Sequence, residues 1–334
     1  MAGEEFQPQF HPAGFDNELR LVLDDVRAGR WRSMRDLLER STTDWAVRTA
    51  RSQVLAAAAA RGDAVEAWAQ EAPHHNAVMM QARVAVQRAL NAHRAQDVRR
   101  RDAHRLEDEA RAACGVAIRC WPQDPVPWVD LLALAQVDKT EVRLRRPEHR
   151  AVPWEPLLPV GPWGLLSEVC RRDPFNREAW HRMLQVLEVY GQNTSDFGRW
   201  VSSWAPEGSP LAAVPLYVYA NRFKEERDRG QLTPLYWTTD PVPFYAERAL
   251  AHWFRHAQTG AWSALDLNYL AQALYSGGFT HGVAKVFTSI GPSVTPAPWK
   301  YVADDPERWE EQFLLARHRY LPAPDGHLYA GRRR

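Results

Sequence analysis

A chain of 334 residues, 45% hydrophobic and 25% charged, has the makeup of an ordered globular protein. It is long enough for two ordinary domains or one extended repeat array. A formal net charge of +1 excludes a global field drawing it to nucleic acid or an anionic membrane. Three cysteines are too few for a disulfide framework or a thiolate zinc site, and no run has the ~18–20 uncharged apolar residues of a membrane helix.

Lysine occurs only at Lys139, Lys224, Lys285 and Lys300, so arginine carries nearly all the positive charge. With alanine runs such as "LAAAAARGDA", this points to a high-GC bacterial source. The opening "MAGEEFQPQFHPAGFD" carries acid and no apolar core, so no signal peptide is expected and a reducing cytoplasm is the expected location. Fifteen tryptophans are unusually many and suit helix-on-helix packing or the lining of a groove.

Residues 1–14 are expected to be disordered. From Asp16 the spacing is helical. Leu19, Val22, Leu23 and Val26 share a face, Gly29 is placed as a left-handed stop, and Trp31, Met34, Leu37 and Leu38 begin a second stripe. The next unit breaks at Gly62 before Ala64, Ala67 and Trp68, so a two-helix unit recurs at a period in the low thirties. A third carries Val78, Ala82, Ala85, Val86 and Ala89, a charged turn, then Ala110, Cys114 and Ala117. These N-terminal repeats span residues 15–137. Residues 138–162, rich in proline, read as a surface loop and as the domain boundary.

Residues 163–321 read as a more irregular helical region. Pro122 and Pro174 each stand six residues before a tryptophan, Trp128 and Trp180, with Leu132 and Leu184 at matching offsets. Each proline ends one helix, and a short polar bridge lets the chain reverse. Phe197, Trp200, Val201 and Trp204 form a further stripe, "DPVP" recurs at 124–127 and 240–243, and Pro306 and Trp309 open a last helix. Residues 322–334 read as a disordered basic tail.

"GDAVEA" at 62–67, Ala110, Cys114 and Ala117 ending at Pro122, "DPFNREAW" at 173–180 and "LNYLAQALYSGGFTHGVAKVF" at 267–287 together resemble the tetratricopeptide-repeat family. The resemblance implies an all-α solenoid of stacked antiparallel helical hairpins, with the first helix of each hairpin lining a concave surface. Residues 138–162 and 209–245 depart from the pattern. Carried over, it places Trp180 on the packing side and Glu178, His181, Gln185 and Glu188 on the groove side of one helix. Thr49 and Ser52 would offer the matching face of another. A polar, partly acidic strip suits a protein or peptide partner.

The expected role is therefore a non-catalytic scaffold or adaptor without cofactor or metal. The alternative is a helical, metal-dependent enzyme. His252 and His256 stand at i and i+4 and could chelate one ion, with Glu178 and His181 as further suspects, but Trp253 occupies the position where a metalloprotease helix needs glutamate. Asp24-Asp25 lacks the third carboxylate of a magnesium motif. No phosphate-cradling glycine loop or nucleophile elbow occurs. The basic stretches at 99–105 and 143–150 are balanced by acid or confined to a loop, against a nucleic-acid partner.

Overall fold

A computed structural model describes residues 6–95, 98–137, 146, 151–233, 235–258 and 262–321. It is all-α: among the described residues there is no strand, only an isolated bridge between Gln9 and Ser293. The contacts divide the chain into two units, one of residues 16–200 and one joining Val201 onward to the stretch ending at Phe15. The expected boundary at 138–162 is thus displaced to 200, because the helices that follow this loop pack on those that precede it. Of that loop, residues 138–145 and 147–150 lie outside the described residues, as does the predicted tail at 322–334.

In the first unit, α1 (Asn17–Arg27), α2 (Arg32–Arg40), α3 (Trp45–Ala59) and α4 (Ala64–Glu71) lead into two long helices, α5 (His75–Arg94) and α6 (Arg100–Cys120). α1 buries the predicted Leu19, Val22, Leu23 and Val26, and its exit bends at Gly29, φ 78°, a left-handed conformation costly for a residue with Cβ. Trp31 stacks on Trp68, with 6.1 Å between ring centroids and the two rings nearly parallel. α5 and α6 pack along their length, and α5 also touches α2, α3, α4 and α7. The small faces predicted for this pair meet: Ala82, Val86 and Ala89 lie against Ala110, Cys114 and Ala117 in one buried cluster.

α7 (Val126–Leu134), α8 (Trp163–Cys170), α9 (Arg177–Val189) and α10 (Thr194–Trp204) follow. α3 touches α5, α5 touches α7, α7 touches α9, and α9 returns to α3. An open layer of hairpins would hold α9 three helix spacings from α3. Their contact closes α3, α5, α7 and α9 into a ring.

In the second unit, α13 (Ala264–Ser276) is buried on most sides and packs against α11 (Val214–Asp228), α12 (Val242–Arg248), α14 (Val283–Ile290) and α15 (Pro296–Val302), with α16 (Trp309–Tyr320) behind. Gly277 and Gly278 end α13. Residues 6–14, expected to be disordered, are fastened instead: Gln9 exchanges backbone hydrogen bonds with Pro292 and Val294, and Phe6 lies against Phe313.

Candidate functional site

The interior of the ring is charged. Arg83, on α5, donates from Nη1 to Asp130 on α7 at 2.6 Å, and from Nη2 to Glu178 on α9 and to the Thr49 carbonyl of α3 at 3.3 Å. One guanidinium thus joins all four helices. Arg182, one turn beyond Glu178, donates to its other carboxylate oxygen at 3.1 and 3.0 Å. Arg83, Asp130 and Glu178 are all buried, a setting in which charges survive only when paired and hydrogen-bonded. The fork geometry of arginine suits two carboxylates at once, which an ammonium would not match.

A second buried pair lies beside it. Arg48, fully buried on α3, donates from Nε and Nη2 to Asp124 at 3.1 and 2.6 Å, and its guanidinium lies 4.8 Å from the Trp121 ring centroid. Asp124 also accepts the Val126 backbone N–H at 2.9 Å, where α7 begins. In the matched proline joint the equivalent residue is Asn176. It accepts the Ala179 N–H at 3.0 Å, capping α9, and its Nδ2 donates to the Thr49 hydroxyl at 3.0 Å. The two joints also meet each other, Arg172 donating to the Pro122 carbonyl at 2.7 Å and covering Trp128.

Burial pushes the Asp130 carboxyl up to about 6, against the opposing pull of Arg83. Its Oδ2 has no hydrogen-bond partner among the described residues, which fits a carboxyl easily protonated. Burial acts on Glu178 in the same sense, but Arg83 and Arg182 outweigh it and hold that carboxyl below its usual range. The Arg83 guanidinium is disfavoured by burial and more strongly held charged by its two carboxylates. The cluster is a cross-brace whose donors and acceptors are turned on one another.

This placement corrects the groove expected from sequence. Glu178, Thr49 and Ser52 are buried, so they are not available to a ligand. His181 and Glu188 are half-buried, and Gln185 is exposed. Trp180 is fully buried as expected, but α9 buries a second face as well, because Arg83 of α5 and Arg182 of α9 itself supply the cations that meet Glu178. His252 sits in a π-helical turn, Ala249–Phe254, and the half-exposed His256 faces Glu207 at 3.9 Å. Among the described residues no third donor joins these two histidines, and Glu178 is committed to Arg83 and Arg182.

Sequence reasoning missed an apolar strip at 151–160. Trp154 packs edge-on against Trp180 and Trp200, leans on Trp163, and donates from Nε1 to the Ser167 hydroxyl at 3.1 Å. Gly161 then passes so close to α9 that an added Cβ would lie 2.8 Å from the Met183 methyl. Held at both points, the strip exposes Val152 (81%), Leu157 (88%) and Val160 (56%). The alternation of prolines with bulky apolar residues in "AVPWEPLLPVGP" was the available signal.

No protein-family model matches this chain, and no curated protein or solved structure is significantly similar to it. No helix among the described residues is long and apolar enough to cross a membrane.

Proposed function

We propose that the chain is a cytoplasmic, non-catalytic adaptor that docks a protein partner on the 151–160 strip. The observation that carries this reading is the exposure of Val152, Leu157 and Val160 on a segment fixed by Trp154. Exposed apolar side chains held in a fixed arrangement mark interaction surfaces more than scattered single ones do. Pre-ordering also removes part of the entropy cost of association. The partner is a protein offering an apolar segment, which would bury the strip.

The finer architecture belongs to the same proposal. The helix pairs at 16–200 follow the plan of tetratricopeptide-like hairpins, curled until the concave side is filled by the Arg83 cross-brace. A filled concave side moves recognition to an outer surface and supplies a stiff frame for it.

The test is affinity capture from the native host with the parent chain and a Leu157→Arg/Val152→Asp variant, with thermal melting of both. The expected result is a specific protein retained by the parent and lost by an equally stable variant. Retention of the same protein by the variant would remove the strip from the account.

A further inference from the structure

Outside the ring, three metal-type donors converge where α5 ends and α6 begins. His93 is in the last turn of α5, and His104 and Glu107 stand three residues apart on one face of α6. His93 Nε2 and His104 Nδ1 each lie 3.6 Å from the same carboxylate oxygen, Glu107 Oε2. All three atoms fall within 4.8 Å of one another. The other oxygen, Oε1, accepts from Arg111 Nε and Nη2 at 3.1 and 2.9 Å, with Arg146 at 3.5 Å. Glu107 is buried, His93 partly so, and His104 is 51% exposed.

We propose that His93, His104 and Glu107 form a binding site for a divalent zinc-class cation. The geometry supports it. Zinc held at about 2.0–2.1 Å from nitrogen and 2.0–2.2 Å from oxygen in a tetrahedron keeps its ligand atoms about 3.3–3.5 Å apart. Two of the three separations here are already 3.6 Å. Two imidazoles with one carboxylate select zinc or a neighbouring transition ion over magnesium or calcium, which prefer all-oxygen sites. Arg111 orients the carboxylate through the oxygen that does not face the histidines, the usual outer-sphere arrangement for a ligating carboxylate. Its charge, with that of Arg146, opposes the incoming cation, so all three donors are required together.

The exposed edge at His104 leaves the fourth position to solvent or to a donor from another molecule. The bound ion would tie the end of α5 to the first turns of α6 across the turn that separates them. The donors come from two helices at spacings that match no linear metal motif. This site does not depend on the protein-binding reading.

The experiment is calorimetric titration of the purified full-length chain with zinc chloride, alongside visible absorption with cobalt(II) chloride. One equivalent of zinc should bind per chain, tetrahedral cobalt bands should appear, and zinc should raise the melting temperature. His104→Ala and His93→Ala should each weaken zinc binding by about tenfold or more, while the metal-free melting temperature of His104→Ala stays at the parent value. A His252→Ala/His256→Ala variant should bind as the parent does. Absence of saturable one-to-one binding, or His104→Ala binding as tightly as the parent, overturns the proposal. Should His93→Ala fail to fold, His104→Ala decides alone, since its side chain is half-exposed.

Discussion

Asp124 and Asn176 hold equivalent positions two residues after Pro122 and Pro174, and each accepts a backbone N–H at the start of the helix that follows while reaching the same third helix. Asp124 accepts from Arg48, and Asn176 donates to the adjacent Thr49. A joint that repeats in the sequence therefore docks twice on neighbouring residues of α3, which is how the ring closes.

Removing the central cation should be far more damaging than removing a surface one. Arg83→Met leaves Asp130 buried without its partner and Glu178 with Arg182 alone, at a cost of about 3–5 kcal/mol. Arg27→Met, whose pair with Asp24 is exposed, should cost no more than about 1 kcal/mol. Urea denaturation of both variants measures the contrast, and equal losses would mean Arg83 is solvated.

The cross-brace also has a pH signature. The Asp130 carboxyl rises from 3.8 to about 6 on folding. Between those values the folded chain holds a proton that the unfolded chain has released. The associated stabilisation is complete below about pH 4 and is lost as pH climbs to about 6. The stability of the parent relative to Asp130→Asn should thus fall across that window and level off above it. Denaturation of the pair at a series of pH values checks the slope; a difference that rises with pH contradicts it.

Cysteine reactivity should follow burial. Cys114 is fully buried, and desolvation with Asp130 nearby raises its thiol well above the ordinary range; burial pushes Cys170 up to about 12. Cys120 is exposed. An aromatic disulfide reagent at pH 8 should titrate one thiol quickly, and Cys120→Ser should abolish that phase. A fast phase that survives the substitution would place another thiol at the surface.

Gly161 should resist substitution because of what it touches. A Cβ there would lie 2.8 Å from Met183 Cε and 3.0 Å from Leu187 Cδ2. Gly161→Ala should cost about 1–3 kcal/mol and loosen the 151–160 strip. Gly62→Ala, with no atom within 4 Å of the added carbon, should be close to neutral. Thermal melting of the two variants compares them directly.

Much of the helical plan is legible in the residues. The stripe of α1, the stop at Gly29, the small-residue seam of α5 and α6 and the buried Trp180 follow from periodicity and backbone preference, which are local properties. The cross-brace was not legible. Periodicity assigns a polar residue to solvent, whereas Glu178 is internal because Arg83, 95 residues earlier, neutralises it. Thr49 and Ser52 did leave a trace: small side chains on one face let another helix approach closely, and both are buried. The strip at 151–160 was hidden for the opposite reason, since its order comes from a tryptophan cage assembled by three separate helices.

The closure of α3 on α9 is tested most directly by a distance. Spin labels at the exposed positions 50 and 185, introduced by Ala50→Cys and Gln185→Cys with Cys120 and Cys170 replaced by serine, can be read by double electron–electron resonance. Helices in contact stand about 10 Å apart, whereas an open layer puts three spacings, about 30 Å, between these two. A short, narrow distribution is the result expected of a ring braced by Arg83; one centred beyond about 30 Å would contradict it.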